Sequence, residues 1–99
     1  MKAADCRTMA ELRAEIDRVD AELVARFAER TSFIDRAAEI KTAIGMPARI
    51  GSRVEEVVAN VRRHAEAHGL PPDKIEKLWR KVIEWSIARE ESVLGKGEE

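Results

Sequence analysis

The chain has 99 residues, enough for one domain with a modest core, so its length favours help from a partner chain. Its 18 Lys and Arg residues nearly balance its 19 Asp and Glu residues, which excludes an overall field that would hold a nucleic acid or an anionic membrane. Cys6 is the only cysteine, which excludes an internal disulfide and a multi-cysteine metal site. No apolar run approaches the roughly 20 residues of a membrane span, and the N-terminal residues lack the apolar region of a signal peptide. We therefore expect a cytoplasmic protein, and the abundance of Ala, Glu, Arg, Val and Ile favours an all-α fold.

The first predicted helix is unusually long. Thr8 and Glu11 have the S/T-x-x-E spacing of a capping box, and no helix breaker follows until Gly45 and Pro47. We predict a helix from about Met9 to Ala43, which would be roughly 50 Å long at 1.5 Å per residue. Because its apolar stripe continues along the whole length, its own chain cannot cover it all. We therefore predict a two-fold, intertwined helical homodimer.

Two shorter helices are predicted after a loop, GMPARIGS, that contains two glycines and a proline. Ser52 and Glu55 form a second capping-box pattern, which predicts a helix from about Arg53 to His68. Gly69 suits the position after its end, and a third periodic segment runs from about Asp73 to Leu94. The tail GKGEE is expected to fray. Residues 1–99 thus form one predicted three-helix domain.

Two cations interrupt the apolar stripe of the first helix. Arg30 and Lys41 lie near its centre line, where an apolar residue is due. A buried cation costs several kcal/mol if it has no partner, so an anion is expected to meet each of them. Alternatively, both head groups reach water past their aliphatic stems, or a carboxylate on the third helix pairs with them. The apolar members of the stripe are Met9, Leu12, Ile16, Val19, Leu23, Phe27, Ile34, Ala37 and Ile44.

The third helix carries polar residues on its apolar stripe as well. Ser86 lies at the centre of the stripe formed by Ile75, Trp79, Val82 and Val93, and Glu90 lies one step to the side. Ser86 is also compatible with a hydrogen bond to the carbonyl four residues earlier. A buried Glu90 needs a partner, and a salt bridge to Lys41 or Arg30 is the alternative to a role in ligand binding.

The spacing of the cations suits a small dianion. Arg30 and Lys41 are about 16 Å apart along one helix face, so two long side chains leaning together leave a ligand-sized gap. Arg49 and Arg53 flank the loop and the start of the second helix, from where they would close the site. Arg13, about 25 Å from Arg30, cannot reach that gap within its own chain, but an antiparallel partner would bring it there.

No metal or cofactor is predicted. His64 and His68 have the i, i+4 spacing of metal ligands, but no third ligand accompanies them in the sequence. A solvent-facing pair is the expected arrangement.

Several segments in a specific order resemble the all-helical class of chorismate mutases, including the related isochorismate pyruvate lyases. These segments are LRAEIDRVD, LVARFAER, the lysine of AEIK, the Pro-containing loop, SRVEE, HGL and VIEWSIAREE, which together span nearly the whole chain. The resemblance implies a three-helix protomer in an intertwined homodimer with two active sites. It also implies an enzyme that acts on a small dianionic substrate, chorismate or isochorismate, without a cofactor.

The resemblance also implies roles for individual residues. Arg13 matches an arginine contributed across the dimer, and Arg30 matches one that grips a substrate carboxylate. Lys41 matches the lysine that hydrogen-bonds the ether oxygen and a carboxylate of the substrate. Arg53 matches the arginine at the start of the second helix. Ser86 and Glu90 fall where relatives hydrogen-bond a carboxylate and face the ether oxygen with a Gln, respectively.

The reaction implied is the pericyclic [3,3] rearrangement of chorismate to prephenate. The arginines would hold the reactive conformer, while Lys41 and a proton on Glu90 would stabilise the charge that grows on the ether oxygen. Val54 stands where typical mutases have a Glu, and Ile50 stands where an Asp is common. The lyase relatives share the RV pair, so an isochorismate pyruvate lyase that gives salicylate and pyruvate is the alternative. A non-catalytic helical dimer and a nucleic-acid module are less favoured, because neither gains from cations on a core stripe.

Overall fold

A computed structural model describes residues 2–95, and within this range the secondary structure is helical with no strand. A single 3-10 turn, Ala3–Asp5, precedes three helices: α1 (Met9–Ile44), α2 (Gly51–Ala67) and α3 (Pro72–Leu94). The predicted all-α class and the three predicted helices are confirmed, with ends that differ from the expected ones by at most two residues. The expected fraying of the tail after Gly95 lies outside the described residues.

The N-terminus of α1 has the predicted capping box. The Glu11 N–H donates to Thr8 Oγ1 at 3.1 Å, and the Thr8 N–H donates to Glu11 Oε1 at 3.3 Å. At the other end, Gly45 has a φ of 75°, and the Met46 N–H donates to the Lys41 carbonyl at 2.9 Å. Both ends of this long helix are therefore set by local hydrogen bonds.

The predicted capping box at the start of α2 is wrong. The helix begins at Gly51, and its N-cap residue is Ile50, whose side chain makes no capping hydrogen bond. The Arg53 and Val54 N–H groups donate to the Ile50 carbonyl at 3.0 and 3.1 Å, so Ser52 already lies inside the first turn. Ile50 is half-buried and takes the N-cap position in place of a polar residue.

The C-terminus of α2 closes with a Schellman motif around Gly69, as its position predicted. Gly69 has a φ of 72°, which lies in the left-handed region that favours glycine. The Gly69 N–H donates to the Glu66 carbonyl at 3.2 Å, and the Leu70 N–H donates to the Ala65 carbonyl at 2.8 Å.

The described residues divide into two compact units between Phe33 and Ile34, inside α1. In the second unit, α2 packs against α3. Among residues 2–95, every buried residue belongs to this unit. Its core cluster consists of Ala48, Val58, Ile83 and Ile87, and partly buried Val54, Val57, Trp79 and Leu94 pack against it.

Salt bridges reinforce the packing of α2 on α3. Arg62 on α2 pairs with Glu76 at 2.8 Å, and Arg80 on α3 pairs with Glu55 at 3.2 Å. Arg80 also contacts Glu76 at 2.8 Å. Hydrogen bonds from Arg80 and then Arg62 lower the pKa of Glu76, which keeps this carboxylate charged between the two helices.

In the first unit, most of the large apolar side chains of α1 are exposed. Met9, Ile16, Val19, Leu23 and Val24 are all exposed. No helix in the described part of the chain is long and apolar enough to cross a membrane.

Candidate active site

Lys41 and Glu90 form a shielded ion pair between α1 and α3. The Lys41 Nζ donates to Glu90 Oε1 at 2.7 Å and to the Ala48 carbonyl at 2.8 Å. The two side chains are only 18% and 6% exposed. An ammonium group has three N–H donors, so these two acceptors leave a third donor for another oxygen atom. Of the alternatives that the sequence left open, the salt bridge from Glu90 to Lys41 is the one observed.

Ser86 lies one helical turn before Glu90, on the same face of α3. Its side chain is buried, and its hydroxyl donates to the Val82 carbonyl at 3.0 Å. This is the local bond that the sequence left open as an alternative to ligand binding. A hydroxyl that donates to the backbone still has lone pairs that can accept, so α3 presents a buried hydroxyl and a buried carboxylate four residues apart.

Asp35 and Arg89 tie α1 to α3 beside this pair. The guanidinium of Arg89 donates to both carboxylate oxygens of Asp35, at 2.6 and 3.1 Å. These hydrogen bonds lower the pKa of Asp35 and so favour its charged form. Because Arg89 precedes Glu90 directly, this bridge also restrains the turn of α3 that carries Glu90.

Arg49 and Arg53 have carboxylate partners on the surface of the second unit. Arg49, in the loop before α2, donates two hydrogen bonds to Glu84 on α3, at 2.9 and 2.6 Å. The bonds from Arg49 lower the pKa of Glu84. Arg53, in the first turn of α2, contacts Glu56 at 2.8 Å. Both arginines are exposed, and their role as substrate ligands stays a prediction.

The two remaining predicted site residues, Arg13 and Arg30, belong to the first unit. Arg13 is exposed on α1, whereas Arg30 is half-buried, as expected for a residue on the apolar stripe. A shared site that contains these arginines and Lys41 stays a prediction from the sequence.

The residues at the two departures from the family pattern have structural roles. Val54 is half-buried and packs against the core cluster, and Ile50 is the N-cap residue of α2. An ionised Glu in place of Val54 would need a partner at the edge of this apolar cluster.

Three contacts of the site region were missed by sequence reasoning. They are the Ala48 carbonyl bonded to Lys41, the Arg49–Glu84 pair and the Asp35–Arg89 pair. The two salt bridges join residues 35 and 54 positions apart, so helical periodicity carries no signal for them. The exposed carboxylates look like ordinary members of a solvated face in the sequence.

Residues 12–91 of the chain match the family model described as chorismate mutase type II. The chain belongs to this family. The resemblance found in the sequence is thereby confirmed. The matched range includes every predicted site residue, from Arg13 to Glu90.

Members of the chorismate mutase type II family and related proteins align with most of the chain. It is 37% identical over 79 residues to the T-protein of Enterobacter agglomerans, which covers 80% of this chain and 21% of that protein. It is 32% identical over 89 residues to the isochorismate pyruvate lyase of Pseudomonas aeruginosa, which covers 87% of this chain and 84% of that protein. It is 28% identical over 86 residues to the chorismate mutase of Methanocaldococcus jannaschii, with 87% of each covered. The chain thus spans about a fifth of the T-protein but most of the other two relatives.

Proposed function

We propose that the chain is a chorismate mutase that rearranges chorismate to prephenate. The observation that carries this proposal is the shielded Lys41–Glu90 pair, 2.7 Å apart, within a chain that belongs to the chorismate mutase type II family. A cation held by two acceptors with one donor to spare can stabilise charge on a substrate oxygen without reorganising during the reaction.

The proposed reaction is catalysed by positioning and electrostatics. Arg13, Arg30 and Arg53 bind the two carboxylates of the substrate and hold the folded conformer, which lowers the entropic part of the barrier. The third N–H of Lys41 donates a hydrogen bond to the ether oxygen as the C–O bond breaks, and a neutral Glu90 would donate a second hydrogen bond to the same atom while keeping its proton. Ser86 donates a hydrogen bond to a substrate carboxylate, for which its hydroxyl turns away from the Val82 carbonyl that it contacts at 3.0 Å. The sequence also predicts Arg49 as a ligand from the loop.

The proposed enzyme is a homodimer with shared sites. The exposed apolar side chains of α1 support this proposal, because monomeric proteins rarely leave such a patch uncovered. Arg13 would then enter the site of the partner protomer. A single helical domain over residues 1–99 and a cytoplasmic location are part of the same proposal.

An isochorismate pyruvate lyase is the second candidate function. It is supported by the relative of that name, of which the chain covers 84%, and by Val54, which packs into the core at the position where typical mutases have a Glu. In this case the same site residues would bind isochorismate, and the enzyme would release salicylate and pyruvate.

One experiment separates the two functions. Purified protein is incubated separately with chorismate and with isochorismate, and prephenate or salicylate is identified in the products. Lys41→Met should lower kcat for the true substrate by about 100-fold or more, the usual effect of removing a transition-state donor. Lys74→Met serves as the matched control because Lys74 is an exposed lysine on α3. Turnover of neither substrate by the wild-type protein would refute both functions.

Shared sites are tested by mixing two inactive variants. Arg13→Ala and Arg30→Ala chains should together restore about one intact site per heterodimer, because each chain supplies the arginine that the other lacks. No recovery of activity, with subunit exchange verified, would contradict a shared site.

A further inference from the structure

The loop between α1 and α2 is anchored to the rest of the second unit at two consecutive residues. The Ala48 side chain is 6% exposed and belongs to the core cluster with Val58 and Ile83. Arg49, in contrast, has a charged partner: it donates two hydrogen bonds to the carboxylate of Glu84, at 2.9 and 2.6 Å. One anchor is thus apolar and the next is ionic.

The two anchors hold one peptide group. The Ala48 carbonyl and the Arg49 N–H belong to the same planar peptide unit, so restraining the residues on both sides restrains the direction of that carbonyl. This carbonyl accepts the hydrogen bond from Lys41 Nζ at 2.8 Å. An Arg–carboxylate fork restrains orientation as well as distance, which a single hydrogen bond does not. The direction of the Lys41 ammonium therefore depends on the loop peptide.

We propose that Glu84 is a positioning residue: by clamping Arg49, it holds the Ala48–Arg49 peptide so that its carbonyl orients the Lys41 ammonium. Glu84 touches no reacting atom in this scheme. The effect on turnover rests on the proposed function of Lys41, whereas the effect on the loop and on the lysine does not.

The Arg49–Glu84 clamp and a role of Arg49 in substrate binding predict different effects when Glu84 is removed. If Arg49 binds the substrate, Glu84 competes for it, and removing Glu84 should free Arg49 and lower KM. If Arg49 acts through the clamp, removing either partner should loosen the loop to the same extent and lower kcat with little change in KM, because an interaction of the transition state is weakened. A lower KM in Glu84→Ala therefore indicates that Arg49 binds the substrate, whereas a lower kcat indicates the clamp.

The structural part of the test needs no substrate. Wild-type protein, Glu84→Ala, Arg49→Ala and the double variant are compared by hydrogen exchange over residues 46–50 and by the rate at which an amine-reactive ester labels Lys41. Both single variants should raise the two rates about two- to fivefold, the range expected for an exposed ion pair, and the double variant should exceed neither. Glu55→Ala is the matched control, because Glu55 is an exposed glutamate whose arginine partner, Arg80, lies on α3 and not in the loop.

The kinetic part follows with the substrate that the wild-type protein turns over. The clamp predicts that kcat falls about two- to fivefold in both single variants and no further in the double variant. Unchanged exchange and labelling in Glu84→Ala, or a lower KM in Glu84→Ala with a higher KM in Arg49→Ala, would overturn it. A wild-type protein inactive on both substrates would refute the proposed function alone, because the exchange and labelling results would still decide whether the clamp orients Lys41.

Discussion

Replacing Lys41 by Met removes the cation that faces the carboxylate of Glu90. The two charged atoms lie 2.7 Å apart, and the side chains are 18% and 6% exposed. Removing one partner of a buried pair costs about 3–5 kcal/mol, because the other charge stays desolvated. Since Glu90 is the more buried of the two, we expect Lys41→Met to lower the free energy of unfolding by about 3 kcal/mol or more. Glu90→Leu should cost less, about 2 kcal/mol, because the longer and more accessible lysine can extend toward water.

The double variant Lys41→Met with Glu90→Leu should recover most of this loss. It leaves no buried charge, and replacing a buried pair by apolar residues of similar size is often neutral or stabilising. The remaining cost is the Ala48 carbonyl, which loses the donor at 2.8 Å and with it about 1 kcal/mol. The two single losses sum to about 5 kcal/mol, so the coupling between the sites should be about 4 kcal/mol.

Urea unfolding followed by circular dichroism measures these differences. All variants are compared at one protein concentration, because the proposed dimer would make the midpoint concentration-dependent. Lys74→Met is the control, with an expected change within about 0.5 kcal/mol for an exposed lysine. Losses that simply add in the double variant would refute the view that the two charges are energetically coupled. The double variant should also be inactive, so recovered stability would separate the folding role of the pair from its catalytic role.

Three further outcomes are expected. Hydrogen bonds from arginine side chains lower the pKa values of three carboxyl groups, those of Asp35, Glu76 and Glu84. Each group therefore stabilises the fold at a pH above its pKa in the unfolded chain, which is near 4, and this stabilisation is lost as the pH falls through its lower pKa in the folded chain. The midpoint of urea unfolding should therefore drop between pH 5 and pH 3. The drop should be smaller in a variant that has Asn in place of Asp35 and Gln in place of Glu76 and Glu84. Gly69→Ala should cost about 1 kcal/mol through its positive φ alone, since nothing lies within 4 Å of an added Cβ, and an unchanged midpoint would contradict this. Glu90→Gln, which keeps a hydrogen-bond donor without an ionisable group, should flatten the pH profile of kcat/KM and retain activity near pH 7. A wild-type profile that is already flat from mildly acidic to neutral pH, together with loss of activity in Glu90→Gln, would exclude Glu90 as a donor to the ether oxygen.

The sequence by itself determined the helices, because the signals that end and start them are local. The capping box at Thr8, the glycine at position 69 and the apolar period of 3.6 residues all act within one or two turns. It also identified Lys41 and Glu90 as residues that need partners, because burying an unpaired charge on an apolar stripe costs free energy whichever element covers that stripe. Their pairing was one of the alternatives that this reasoning kept open.

The tertiary structure showed that Lys41 and Glu90 pair with each other, and it added contacts that no local pattern encodes. The Ser52 capping box did not form, because α2 begins at Gly51 with half-buried Ile50 as its N-cap, two residues before the cap that the local pattern predicted. The Arg49–Glu84 pair, the carbonyl of Ala48 and the Asp35–Arg89 bridge came together only through the fold. Many exposed carboxylates could pair with a given arginine, and the choice among them depends on how the helices pack, because helical periodicity fixes the neighbours of a residue only within its own helix.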